Sequence, residues 1–267
     1  MGKTILITGA TDGIGFETAK LLARDGNELL LHGRNPDKLS RVVESIGASE
    51  GSASIASFVA DLSRLAEVER FASDVTERCS KLDVLINNAG VFKTSQSTTP
   101  EGFDVRFIVN TIAPFLITQR LLPLMDTSGR IINLSSAAQS PVDLKAMAGG
   151  VRLADMEAYA QSKLALTMWS RHLALSVDGK GPVIVAVNPG SLLATKMVKE
   201  GFGVAGSDIR IGADILVRAA LSDEFADAYG KYYDNDARGF GSPHPEALNE
   251  EKNAKVVRAI GAIISAN

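Results

Sequence analysis

The stretch Thr4-Ile5-Leu6-Ile7-Thr8-Gly9-Ala10-Thr11-Asp12-Gly13-Ile14-Gly15, running into a helical pattern over residues 15–24, decides the fold. Residues 4–8 form an apolar run without polar alternation, as a strand buried on both faces requires. A glycine turn follows and opens a helix. Glycine lets the chain turn tightly, lets backbone approach a pyrophosphate, and lets strand and helix close on each other. Amides at the helix N-terminus then face the phosphates, aided by the helix dipole. A glycine triplet alone is an ordinary turn. Between a first buried strand and a helix it reads as a dinucleotide site, with Gly9, Thr11, Asp12, Gly13, Ile14 and Gly15 as candidate contacts. No Gly-Lys-Ser/Thr ends the motif, which excludes a nucleotide triphosphatase loop.

Outward from this stretch, short runs rich in Ile, Leu and Val recur at 28–32, 57–60, 84–87, 130–134 and 183–187, with a weaker one at 230–233. Helical patterns alternate with them at 65–79, 102–125, 158–176 and 208–221, and a C-terminal helix is predicted over 247–264. This alternation predicts an α/β fold, a doubly wound parallel sheet with helices on both faces, and with the glycine turn it reads as one dinucleotide-binding domain over residues 1–267. Two connections break the rhythm. Residues 139–157 carry Pro141, Gly149 and Gly150, and residues 191–207 follow the turn Asn188-Pro189-Gly190. Long loops in compact domains are functional or disordered, and 191–207 is the candidate substrate loop.

The chain has 267 residues, 45% hydrophobic and 22% charged, enough for a large apolar core. Its net charge of -3 offers no positive field for nucleic acid or an anionic membrane. The single cysteine, Cys79, permits no intrachain disulfide, and His32, His172 and His244 lie far apart without zinc-ligand spacing, so no metal site is expected. No signal peptide is visible, and no apolar stretch reads as a membrane span. The expectation is a cytoplasmic protein.

The second strand ends Leu31-His32-Gly33-Arg34-Asn35. An NAD site places an acid here, about 20 residues past the glycines, for the ribose 2′-hydroxyl. That acid is missing, and the Arg34 guanidinium suits a 2′-phosphate, which favours NADP(H) over NAD(H). Asp12, acidic and close to the glycine turn, argues the other way, and a solvated turn arginine is the plain alternative.

Tyr159 and Lys163 lie at i and i+4 of a helical segment and project from one face. A free tyrosine has a pKa of about 10, too high to exchange protons easily near neutrality. A nearby ammonium and an oxidised nicotinamide ring would lower it, letting Tyr159 give a proton to a carbonyl or take one from an alcohol.

Together with Thr8-Gly9-x-x-x-Gly13-Ile14-Gly15, Asp61-Leu62, Asn87-Asn88-Ala89-Gly90, Asn110, Ser135-Ser136, Tyr159-x-x-x-Lys163 and Asn188-Pro189-Gly190, the chain resembles the short-chain dehydrogenase/reductase family over nearly its whole length. The resemblance implies a Rossmann-type sheet and hydride transfer between nicotinamide and a carbonyl or alcohol. It makes Ser136, rather than its neighbour Ser135, the partner of the substrate oxygen. It gives Asn110 a place in a water-linked proton relay behind Lys163, where bare sequence allows a helix-kink residue near Pro114 equally well. It assigns Asp61 and Leu62 to the adenine side, and Asn88, Ala89 and Gly90 to the cofactor cleft. Pro189 and Gly190 fall beside the nicotinamide, with Thr195 on its carboxamide.

The separation of Ser136 from Tyr159 and the tail Gly230-Lys231-Tyr232-Tyr233 resemble the retinol-dehydrogenase-like branch. The analogy suggests an apolar carbonyl or alcohol substrate, with Leu192, Leu193, Met197, Val198 and Phe202 either lining its pocket or closing the core. That branch often carries membrane anchors, and none is visible here. Added residues before the second pairing helix point to a monomer or homodimer. Two other functions share these motifs: a dinucleotide-binding sensor or scaffold without turnover, and a non-redox dehydratase or isomerase. Intact Ser136, Tyr159 and Lys163 argue for the oxidoreductase.

Overall fold

The computed structural model describes residues 2–49, 54–177 and 179–267, and the Phe202 side chain lies outside the described set. Among the described residues eight strands form one sheet in the order β3-β2-β1-β4-β5-β6-β7-β8. They are β1 Thr4–Ile7, β2 Glu28–Gly33, β3 Ile55–Val59, β4 Val84–Asn87, β5 Arg130–Leu134, β6 Val183–Asn188, β7 Tyr232–Asp234 and β8 Gly239–Gly241. Every pairing is parallel except the antiparallel β7–β8 edge. Chain order reverses between β1 and β4, which opens a crevice beyond the carboxyl ends of those strands.

The apolar runs are explained by burial on both faces. Ile5 and Ile7 join the core on one side of β1 and Leu6 the core on the other, all without solvent exposure. Helices α1 (Gly13–Arg24), α2 (Pro36–Ser49) and α8 (Arg210–Leu221) cover the first side through Leu22, Ile46 and Leu216. The second side is covered by α3 (Leu65–Arg78), the helical run α4 (Val105–Leu124) and α6 (Asp155–Val177). The C-terminal helix α9 (Glu250–Ser265) packs outside α4 and α6 around Phe115, Trp169 and Ile260. Two short helices, α5 (Leu144–Met147) and α7 (Lys196–Phe202), lie within the two long connections.

Several expectations need correction. Helix α2 was not anticipated, although Leu39, Val42, Val43 and Ile46 repeat at helical spacing and Leu39, Val42 and Ile46 are buried. Strand β8 was also missed, being three residues with two glycines. The third strand begins at Ile55 rather than 57, and the seventh at Tyr232 rather than 230. The C-terminal helix starts only at Glu250, because Asn249 caps it by accepting from Lys252 N at 2.9 Å. One run, Val105–Leu124, is long and apolar enough to cross a membrane, contrary to the reading of the sequence; 72% of its apolar window is buried inside the domain, where it serves as a core helix.

Residues 139–157 are not a bare loop. Met147 is fully buried, Asp143 N donates to Gln161 Oε1 at 2.9 Å, and Arg152 bonds Thr98. The segment rests on the start of α6 and on the chain before α4.

Candidate active site

The strand ends converge on a cleft of about 630 Å³. Its floor is the glycine turn. Gly9 and Gly13 have φ of +67° and +60°, a conformation that favours glycine. Asn88 Nδ2 reaches across to donate to Thr8 O at 2.9 Å and Gly9 O at 3.0 Å, while Asn88 N and Ala89 N both donate to Thr8 Oγ1 at 3.1 Å. A Cβ at Gly15 would fall 2.3 Å from Asn88 Nδ2 and 2.4 Å from Gly9 O, so Gly15 closes the turn against β4 and does not line the cleft. The Asp12 carboxylate accepts from Gly13 N at 2.8 Å as the N-cap of α1; its side chain thus has a structural use that the sequence did not show.

The turn has a buried support that sequence reasoning missed. His32 Nδ1 accepts from Gly9 N at 3.2 Å and its Nε2 lies 3.0 Å from Ala60 O, which demands a neutral ring protonated on Nε2. Burial holds its pKa at about 4. Next to it, a Cβ at Gly33 would meet Thr11 Cγ2 at 2.3 Å, so the Thr11 methyl closes the end of β2 and Arg34 stands beyond it, exposed at the cleft. Asp61 and Leu62 line the same end, where Asp61 Oδ1 accepts from Ser63 N at 3.0 Å.

At the other end Ser136, Tyr159 and Lys163 meet. The Ser136 side chain lies close enough to the Tyr159 phenol to draw its pKa down. Ser135 is turned inward, its Oγ 2.7 Å from Thr167 Oγ1, which separates the two serines. Lys163, 4% exposed, donates from Nζ to Leu134 O at 2.7 Å and sits 5.8 Å from the centre of the Tyr159 ring. Burial lowers the Lys163 amine to about 8. Burial raises the Tyr159 phenol, and Ser136 pulls it partly back. The expected lowering by Lys163 is not seen in the protein itself. Among the described residues the amine has no carboxylate neighbour to hold its charge, and its own burial weakens it. The phenol is therefore kept protonated.

Asn110 does not line the cleft. It lies in a π-helical turn, Ile108–Ile112, inside α4. Pro114 has no N–H to offer the carbonyl four residues back, which is that of Asn110, and the wider turn results. The Asn110 carboxamide accepts from Val91 N at 2.8 Å and donates to Val91 O at 2.9 Å and Ser162 Oγ at 3.0 Å. A Cβ at Gly90 would lie 3.4 Å from Asn110 Oδ1 and 3.5 Å from Lys163 Nζ, so the two groups are close neighbours behind the cleft.

The edge hairpin braces this end. Tyr232 Oη donates to Ser136 O at 3.1 Å, and burial, followed by the charges of Asp234 and Asp236, pushes its pKa up. Asn188 Nδ2 donates to Asp234 and Asp236 at 2.8 and 2.9 Å, and Ser191 N to Asp236 Oδ1 at 2.8 Å. Asn235 Nδ2 holds Pro189 O at 2.9 Å. Pro189, Gly190 and Thr195 line the cleft, with Thr195 Oγ1 also capping α7 by accepting from Val198 N at 3.2 Å. Phe92, Leu192, Leu193, Met197 and Val198 add an apolar stretch of wall, with Ser191 and Lys196 beside them. Nothing local in the sequence marks Phe92, Tyr232 or Asp236 as neighbours of the site.

This arrangement fits a dinucleotide. It combines a glycine-floored trough at a helix N-terminus, an exposed arginine at one end, and a hydroxyl pair with a buried amine at the other. A family model described as short chain dehydrogenase matches residues 3–202. Human retinol dehydrogenase 13 is 32% identical, covering 94% of this chain and 81% of its own. Mouse polyprenol dehydrogenase is 31% identical, covering 98% and 84%. A solved structure of a short chain dehydrogenase from Burkholderia cenocepacia J2315 in complex with NADP superposes with a TM-score of 0.71 at 27% identity, over 88% of this chain and 96% of that one.

Proposed function

The chain belongs to the short-chain dehydrogenase family, in its retinol-dehydrogenase-like branch, as an NAD(P)-dependent oxidoreductase, and on that premise we propose that it interconverts an apolar carbonyl compound and its alcohol using NADP(H). The observation that carries this reading is the meeting of Ser136, Tyr159 and Lys163 at the apolar end of the cleft.

Gly9, Gly13 and the first amides of α1 would hold a pyrophosphate, Arg34 would pair with a 2′-phosphate, and Asp61 and Leu62 would take the adenine. Asn88 to Gly90, Pro189, Gly190 and Thr195 flank the nicotinamide end. Bound there, the nicotinamide supplies or accepts the hydride. Ser136 and Tyr159 hold the substrate oxygen between two hydroxyls, and Tyr159, kept protonated by burial, gives its proton to that oxygen during reduction. Lys163, with a pKa of about 8, is placed to restore the proton from behind, near the Asn110 carboxamide. Leu192, Leu193, Met197 and Val198 exclude water and receive the hydrocarbon part of the substrate. Relatives named for retinol and polyprenol support an apolar substrate.

The test is a panel of aldehydes, ketones and alcohols with NADPH and NADH, run on wild type and Tyr159→Phe. The expected result is NADPH-linked turnover that falls roughly 100-fold or more in the variant with cofactor binding intact. Equal turnover by the two proteins would remove Tyr159 from the mechanism.

A further inference from the structure

Phe92 stands at the reacting end of the cleft and cannot retreat. Its ring meets the Tyr159 ring edge-on, with centroids 5.2 Å apart, and is 5% exposed. Behind it lies α7, where a Cβ on Gly201 would come within 2.6 Å of two Phe92 ring carbons. The helix therefore rests directly on the aromatic ring, and only glycine lets it do so. The backbone is pinned as firmly. Asn110 holds both the N–H and the C=O of Val91, at 2.8 and 2.9 Å. Arg106 Nη1 donates to Phe92 O at 3.3 Å and to Asp155 Oδ1 at 2.5 Å, while its Nε and Nη2 grip Asp104. Arg106 is 1% exposed, so the cation of this clamp is buried, and through Asp155 at the surface it ties Phe92 to the first turn of the helix that carries Tyr159.

A carbonyl oxygen bonded to the Tyr159 phenol leaves its carbon one bond further on. Phe92 is then among the first side chains that a group on that carbon meets. We propose that Phe92 is a specificity-determining residue, a fixed wall that limits the bulk of the second substituent on the reacting carbon, and that Gly201 is what allows the wall to stand there. This rests on the carbonyl–alcohol reading above and deepens it.

The test measures kcat/KM with NADPH for a linear aldehyde and for the methyl ketone of equal chain length. Wild type is compared with Phe92→Leu, Phe92→Ala and Gly201→Ala, and NADPH binding by fluorescence confirms that each protein is folded. Both Phe92 variants are expected to raise the ketone-to-aldehyde ratio by about tenfold or more, the scale on which a few apolar atoms discriminate in a pocket. Gly201→Ala is expected to lower it, because the added methyl drives the ring toward Tyr159. A ratio within twofold of wild type in a Phe92 variant that still binds NADPH overturns the proposal while leaving the oxidoreductase reading in place. A wild-type protein that binds NADPH but reduces neither compound overturns that reading, and this inference with it.

Discussion

His32 should make the protein acid-sensitive in a window set by one imidazole. In the fold the ring is 2% exposed, accepts from Gly9 N and faces Ala60 O, and burial holds its pKa at about 4 against an ordinary 6.5. Between these values the unfolded chain binds more protons than the folded one, so stability rises with pH across the window. It is complete above pH 6.5 and is lost as pH falls toward 4. At 1.36 kcal/mol per pKa unit the full loss from 6.5 to about 4 is about 3 kcal/mol, of which about 2 kcal/mol has gone by pH 5. Protonation would also place an N–H against the Gly9 N–H, so the cofactor turn should loosen in the same range. The assay is urea unfolding at intervals from pH 7.5 to 4, with NADP⁺ titrations alongside. Asp126, Asp208, Asp236 and Glu251, whose carboxyls are held low, lose stability in acid as well, so His32→Gln is the control. The variant should be weaker at pH 7 but flatter below 6.5. Parallel curves for the two proteins between pH 6.5 and 4 would refute the assignment.

Arg34→Ala should weaken NADPH binding about tenfold and leave NADH nearly unchanged, read by nicotinamide fluorescence; equal loss for both would remove the 2′-phosphate role. Gly15→Ala places a methyl 2.3 Å from Asn88 Nδ2 and 2.4 Å from Gly9 O, and should lower Tm on the order of 5 °C with weakened cofactor binding. Lys163→Met should abolish turnover yet stabilise the fold at pH 7. Holding the amine at about 8 instead of 10.5 costs about 3 kcal/mol there, and losing the bond to Leu134 O offsets about 1–2 kcal/mol of the gain. A net increase of about 1 kcal/mol in urea unfolding is the expected outcome, and a marked loss of stability would contradict it.

The fold was legible because a parallel sheet writes itself as continuous apolar runs, and six of the eight strands carry that signature. Helix Pro36–Ser49 carries an equally clear signal in Leu39, Val42, Val43 and Ile46 with proline at its start. Strand β8 had no such signal: Gly239 and Gly241 flank the lone Phe240. Within the site, the legible residues sit at strand ends or at helical spacing, where local pattern and position coincide. Those that went unseen act across the chain. His32 reaches Gly9 over 23 residues, Arg106 reaches Asp155 over 49, and Tyr232 reaches Ser136 over 96. No local periodicity encodes such partners, since each depends on how separate elements pack.

Two buried cations show how the fold separates structure from chemistry. Arg106 and Lys163 are 1% and 4% exposed and lie on neighbouring helices. Burial pulls the Arg106 pKa down, but its hydrogen bonds to Asp104 and Asp155, and then their charges, more than reverse that, so its cation is locked in place. Lys163 donates to the Leu134 carbonyl and meets no carboxylate among the described residues, and burial brings its amine to about 8. A locked cation can hold Phe92 and the start of the Tyr159 helix but cannot exchange a proton near neutrality. An amine poised close to neutral pH can exchange one, and it stands 5.8 Å from the centre of the Tyr159 ring. The absence of a carboxylate beside Lys163 among the described residues therefore works against stability and suits the proton transfer proposed above. A carboxylate introduced at Gly90, where a Cβ would lie 3.5 Å from Lys163 Nζ, would restore the charge and should thereby slow the reaction.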